Sequence, residues 1–218
     1  MDRSTRGSRM REGIEIIKKL FTEERVTFDG KYTQIKDMTL SPKPVQDPYP
    51  PIWIGARGPK AIKRAAEMGY HLMGTLGPDP APLYIESLKE AGFDPGNFNI
   101  AQLRMVYTAP SEAQAWDECQ DHLWHLLTFY QDILSEAKDA EGDDQPLPAK
   151  NAAELRHSPI ADTMLIGTPD QVNEKLQAFC DNYQCTDFIM DMQFPGIDPQ
   201  LATNSMTLFA KEVMPNFR

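Results

Sequence analysis

Residues 50–69 read PPIWIGARGPKAIKRAAEMG, and this stretch decides the fold class. A short apolar run, Ile52-Trp53-Ile54, ends in Gly55-Ala56-Arg57-Gly58. Pro59 then stands where a helix starts, since its fixed φ suits the first turn and its missing N–H is not needed there. Ile62, Ala65, Ala66 and Met68 fall on one face of the predicted helix, and Gly69 closes it. The order is strand, glycine turn, helix. A trio of this kind is the unit of a parallel sheet, because parallel neighbours need a crossover between them.

Outward from that stretch the unit recurs. Toward the C-terminus, Tyr70 to Met73 is a second apolar run, followed by a helix from Pro80 to Ala91 ending at Gly92. A third strand is expected over about Ile100 to Thr108. Ser111-Glu112-Ala113-Gln114 then offers a capping box to a long helix carrying Ala115, Cys119, Leu123, Leu126, Tyr130 and Ile133. Thr168-Pro169-Asp170-Gln171 begins another helix with Val172, Leu176, Phe179 and Tyr183 along one face. Phe188-Ile189-Met190 is the fourth strand, and Asp198-Pro199 opens a last helix. Between them, 139–160 carries Gly142-Asp143-Asp144 and two prolines and is expected to be a mobile insertion within a single domain covering 1–218. Toward the N-terminus lie an amphipathic helix over Met10 to Phe21, an Asp29-Gly30 hairpin and a proline-rich extended connection from Ser41 to Pro51.

The four strands and their helices define an α/β class with right-handed crossovers. Four parallel strands cannot close a barrel, for which about eight are needed. Either the sheet is open or strands are missing, and the opening amphipathic helix, with no strand before it, favours missing strands.

Composition excludes several functions. The net charge of −10 repels phosphate backbones, so nucleic acid is not an expected partner. No apolar run approaches a membrane span and no signal peptide begins the chain, so a soluble, cytoplasmic protein without membrane partners is expected. The three cysteines, Cys119, Cys180 and Cys185, have neither disulfide-framework nor zinc spacing and are expected to be reduced and buried. His122 and His125 stand three apart on one helix without further ligands, so no metal site is expected. Neither a nucleophile elbow around Ser158 or Ser205 nor a nucleotide-binding glycine loop is present.

The candidate chemistry centres on Gly55, Ala56, Arg57 and Gly58. At a strand's C-terminal end, with a helix dipole behind it, such a loop can present backbone N–H groups to an anion, and Arg57 can add a guanidinium. The alternative is that the glycines only satisfy turn geometry. Trp53 is expected to pack against a helix; His71 is expected to be structural, the alternative being an imidazole at the strand end that reaches substrate; Asp187 and Asp191 flank the last strand, where Asp191 with Gln193 can face the mouth or the acidic residues can be merely exposed.

Several segments together resemble the luciferase-like monooxygenase family. They are Arg11-Glu12-Gly13-Ile14-Glu15, Val26-Thr27-Phe28-Asp29-Gly30-Lys31-Tyr32, Leu40-Ser41-Pro42-Lys43-Pro44-Val45-Gln46, Pro50 to Arg57 leading into Arg64-Ala65-Ala66, Ile166 to Val172, and Phe209 to Pro215. The resemblance implies a (β/α)8 TIM barrel of which this chain holds about the last four strands. It implies reduced FMN, or the deazaflavin coenzyme F420, bound at the strands' C-terminal ends, with Gly55 to Gly58 at the cofactor phosphate. It further implies monooxygenation of a small organic substrate with O2, or hydride transfer with a deazaflavin, a possible flavin reductase partner and a possible homodimer. The family's catalytic histidine belongs to strands that this sequence lacks, so no catalytic residue is assigned. A non-catalytic flavin-binding protein or an inactive fragment is the alternative.

Overall fold

The computed structural model describes residues 3–75, 79–137, 147 and 149–217. The chain divides into two compact units, Met1–Trp53 and Ile54–Arg218. The sequence suggested a single domain.

In the first unit, helix α1 (Arg6–Thr22) is followed by the antiparallel hairpin of β1 (Val26–Asp29) and β2 (Gln34–Met38), joined as the Asp29-Gly30 turn predicts. Both carboxylate oxygens of Glu12 accept the Tyr32 N–H, at 3.0 and 3.1 Å, which holds the turn to α1. The Lys43 ammonium donates to the carbonyls of Leu20 and Glu23, at 2.7 and 2.5 Å, answering acceptors that a helix end leaves unpaired.

The second unit is the α/β part. Its strands are β3 (Trp53–Ala56, of which Ile54, Gly55 and Ala56 belong to this unit), β4 (His71–Gly74), β5 (Ile100–Thr108), β6 (Leu165–Gly167) and β7 (Asp187–Asp191). Helices α2 (Pro59–Glu67), α3 (Ala81–Glu90), α4 (Glu112–Ala137), α5 (Ala152–Leu155), α6 (Pro169–Asn182) and α7 (Pro199–Glu212) alternate with them. The sheet runs β3-β4-β5-β6, with β7 also on β5. β5 is the axis: its first residues pair parallel with β4, residues 101–105 with β7, and residues 106–108 with β6. Paired and covered in this way, β5 is buried along almost its whole length, its polar Gln102, Arg104 and Thr108 included.

The helix signals read as expected. Gly69 and Gly92, past the ends of α2 and α3, take positive φ of 65° and 82°, which a side chain would resist. Thr168 and Gln171 form the reciprocal capping box of α6. β6 was not foreseen: at three residues it is too short for any period to show, and its pairing with the end of β5 is what makes it a strand.

Two helical layers bury the faces of β5. Val106, Leu165, Val172, Leu176, Phe209 and Val213 join it to α6 and α7. Met105 and Tyr107, on the alternate face, pack with Trp116, Cys119 and Leu123 of α4 and with Leu155, Met164, Ile166 and Phe194. The expected insertion lies partly outside the described residues. Its described part is packed: Asn151 caps α5, and Leu155 and Ser158 are buried. All three cysteines are free, yet only Cys119 is buried; Cys180 is exposed and Cys185 intermediate, a correction to the expectation of buried thiols. No helix among the described residues is long and apolar enough to cross a membrane.

Candidate functional site

β4, β5, β6 and β7 run parallel, so their C-terminal ends point the same way, and β3, next to β4 and joined to it through α2, has the crossover connection of a parallel neighbour. In open and closed α/β sheets alike, ligands bind at such ends, where loops meet helix N-termini. The loop Gly55-Ala56-Arg57-Gly58 lies there, between β3 and α2.

Its geometry suits an anion. Gly58 is the N-cap of α2 in extended conformation, φ −87° and ψ 158°, and no side chain caps the helix. Its carbonyl accepts the N–H groups of Ala61 and Ile62 at 3.0 and 3.1 Å, so the helix is regular from its first turn. No acidic residue stands in that turn, while Arg57 and Lys60 are exposed beside it. Dipole and side chains therefore add with the same sign.

Neither glycine is required by its backbone: positive φ occurs at Gly69, Gly92, Gly167 and Gly196 but not at Gly55 or Gly58. A Cβ at Gly58 would meet no atom within 4 Å, and at Gly55 only Met73 Cε at 3.5 Å, an ordinary contact. The turn-geometry explanation for these glycines therefore finds no support, whereas bare backbone open to a ligand remains consistent with both.

Asp191 ends β7, paired with Met105 of β5. Burial raises its carboxyl above the usual range, against the opposing hydrogen bond from the Gln193 backbone N–H. With the folded-state value raised, the fold favours the protonated form. That stabilising share is complete below the ordinary carboxyl value and is lost as pH rises through the raised one. Asp191→Asn, neutral throughout, should therefore melt above wild type at neutral pH, with the gap closing as pH falls to about 4. Thermal melts across pH check this, and a gap that widened on acidification would show the ion to be the favoured form.

The other sequence candidates separate cleanly. His71 begins β4, at the opposite end from the loop, where its Nδ1 accepts the Asn99 N–H at 2.9 Å and its ring meets Phe98 edge-on. It is structural, as expected. His122 Nδ1 lies 3.0 Å from the Pro195 carbonyl and ties α4 to the turn after β7, while His125 is exposed. No cluster of metal-ligating side chains occurs among the described residues. Ser205 binds Thr108 within the core, and Ser158 donates to the Leu155 carbonyl at 2.6 Å, so both hydroxyls are spent on structure. Asp187 is exposed and accepts from the Thr186 hydroxyl at the start of β7, away from the strand's C-terminal end. Trp53 is exposed, where packing against a helix was expected; it occupies the face of β3 alternate to buried Ile54 and Ala56.

Sequence reasoning passed over two polar features of β5. Tyr107, buried, donates to Glu118 Oε2 at 2.7 Å, and Gln114 donates to the other oxygen at 2.7 Å, fastening α4 to the strand. Gln102 and Arg104 are wholly buried on the alternate face. The signal was present: two polar residues two apart inside IAQLRMVYT put both on one face of a strand otherwise built for a core.

Comparison with known proteins gives consistent results. The family model described as luciferase-like monooxygenase matches residues 1–182. An F420-dependent glucose-6-phosphate dehydrogenase of Microbacterium testaceum is 28% identical over 217 residues, covering 98% of this chain and 61% of its own length. The oxygenase component of a flavin-dependent trigonelline monooxygenase of Acinetobacter baylyi is 28% identical over 227 residues, covering 100% of this chain and 62% of its own length. Among solved structures, monooxygenase RslO1 of Streptomyces bottropensis superimposes with a TM-score of 0.72 at 20% identity, covering 100% of this chain and 64% of that one. The oxygenating constituent of 3,6-diketocamphane monooxygenase from Pseudomonas putida, in complex with FMN, gives 0.68 at 19%, covering 95% and 63%. The fold is thus that of a partial (β/α)8 barrel, and the chain spans about three fifths of the length of the curated relatives it matches.

Proposed function

The chain belongs to the luciferase-like monooxygenase family, and on that premise we propose that it contributes the phosphate-binding loop of a flavin- or deazaflavin-dependent oxidoreductase acting on a small organic substrate. The observation that carries the reading is the uncapped, acid-free N-terminus of α2 behind Gly55-Ala56-Arg57-Gly58. Backbone N–H groups near Gly58 would hold the cofactor phosphate, with Arg57 and Lys60 supplying positive charge. When bound, reduced FMN would supply the electrons with which O2 is activated for transfer of one oxygen atom, whereas coenzyme F420 would exchange a hydride. The names of the relatives support both cofactors, one being F420-dependent and one the flavin-dependent component of an oxygenase system. A separate reductase delivering reduced flavin accords with the oxygenase-component relative. A homodimer and a cytoplasmic location belong to the same reading.

Gly58→Asp tests the loop with two effects of opposite sign. Aspartate is a good N-cap, so the variant should melt no lower than wild type. Its carboxylate would also occupy the anion position, so FMN should bind about tenfold or more weakly, roughly 1.4 kcal/mol or above. Riboflavin, which shares the ring and lacks the phosphate, should be unaffected. The readout is flavin fluorescence on titration, run in parallel with coenzyme F420 to separate the two cofactors. Equal affinity of wild type for FMN and riboflavin would remove the phosphate role, and binding of neither flavin with tight binding of F420 would settle for the deazaflavin.

A further inference from the structure

Four buried side-chain atoms have no hydrogen-bond partner among the described residues: Thr75 Oγ1, Gln102 Oε1, and Nε and Nη2 of Arg104. They belong to one neighbourhood. Gln102 donates its Nε2 to the Thr75 carbonyl, and Arg104 follows Gln102 by two residues on the same face of β5. Buried polar groups are satisfied almost without exception, so four together call for an account.

Arg104 is the centre of it. The residue is 0% exposed, and its guanidinium lies against the rings of both Phe179 on α6 and Tyr183 just beyond it, 4.3 and 4.9 Å from their centroids. Nη1 donates to the Leu103 carbonyl at 2.9 Å. Nε and Nη2, the two left over, form the edge whose parallel N–H groups match the two oxygens of a carboxylate or phosphate.

Arg104 forms no salt bridge among the described residues. The nearby carboxylate of Asp79 is engaged otherwise: its oxygens accept from the N–H groups of Ala81 at 2.9 Å and Gln184 at 3.1 Å, with the Cys185 thiol 3.8 Å away. Burial pushes that thiol up to about 12, so it stays protonated near neutrality and supplies no counter-charge. Burial also draws the Arg104 guanidinium below its ordinary value, against the opposing contributions of Tyr183 and Asp79. Water would satisfy the two N–H groups; an anion would satisfy them and add to the partial counter-charge of Asp79.

We propose that Arg104, with Thr75 and Gln102, forms an internal site for a small oxoanion of phosphate or carboxylate type, lodged between β5 and the C-terminal end of α6. The guanidinium edge binds two oxygens side-on, the Thr75 hydroxyl donates to the anion, and Gln102 Oε1 accepts from a protonated oxygen such as that of hydrogen phosphate. The rings of Phe179 and Tyr183 fix the guanidinium plane and keep solvent out. The site is on the helix-covered face of the sheet and is independent of the loop at Gly58.

The test is thermal melting of the full chain in chloride, phosphate and formate buffers of equal ionic strength. Wild type should melt several degrees higher in about 50 mM phosphate than in chloride, as expected when a ligand binds only the folded state. The rise should vanish in Arg104→Met, shrink in Thr75→Val, which keeps the charge should Arg104→Met fail to fold, and persist in Gly58→Asp. Identical wild-type melting in all anions would mean enclosed water alone and overturn the site. So would a rise kept in both Arg104→Met and Thr75→Val, which would mark a general salt effect, or a rise lost only in Gly58→Asp, which would place the anion at α2.

Discussion

Gly74→Ala should destabilise the second unit by about 3 kcal/mol, the sum of a buried overpacking cost and one lost hydrogen bond. Gly74 is the last residue of β4 and is buried, and its backbone has no need of glycine, since positive φ does not occur there. The constraint is space. A Cβ would fall 2.1 Å from Gln102 Oε1 and 2.8 Å from Pro80 Cγ. A flexible side-chain end can usually retreat, but Gln102 is 0% exposed and held by its bond to the Thr75 carbonyl, while the Pro80 ring at the start of α3 cannot rotate away. For a chain of this size the loss corresponds to roughly 6–12 °C in melting temperature. Denaturant unfolding of Gly74→Ala, Gln102→Ala and the double variant would separate the causes. If Gln102 is the obstacle, the double variant recovers part of the loss, and strict additivity would assign the clash to Pro80 instead.

The same glycine shows why the sequence was legible in some places and opaque in others. Local signals act within a few residues, so Pro59 at the head of α2, the Thr168-Gln171 box and the glycines after α2 and α3 could be read directly and are found where expected. The loop at Gly55 to Gly58 was legible for the same reason: strand end, glycine and helix start are adjacent in the chain. Long-range pairings leave no such mark. β6 exists because three residues meet the end of β5 some sixty positions earlier, and Gly74 matters because Gln102 lies opposite it across the β4-β5 register. Trp53 illustrates the limit of alternation: it fixes that Trp53 and Ile54 face opposite ways, and the structure was required to say which of the two is covered.

Leu155→Ala should cost about 3 kcal/mol, within the range for an enclosed leucine, although the sequence around it suggested a mobile insertion. Glycine, acidic residues and prolines over 139–160 point to a loop, and that inference is sound for residues whose neighbours are polar. It overlooks the Asn151-Ala152-Ala153-Glu154 cap, in which the Asn151 side chain accepts the Glu154 N–H at 3.0 Å and sets one helical turn. That turn delivers Leu155, fully buried, into the cluster of Trp116, Cys119, Leu123, Met164 and Phe194. Ser158 then closes on the Leu155 carbonyl. Truncation therefore opens a cavity beneath α4, which is anchored independently by the Tyr107-Glu118 bond, so collapse to refill the cavity should be limited. A side chain in a mobile segment would change stability by less than about 0.5 kcal/mol. Urea unfolding of Leu155→Ala distinguishes the two, and a loss confined to that smaller range would mean that α5 does not hold α4 in place and that the segment moves as the sequence alone suggested.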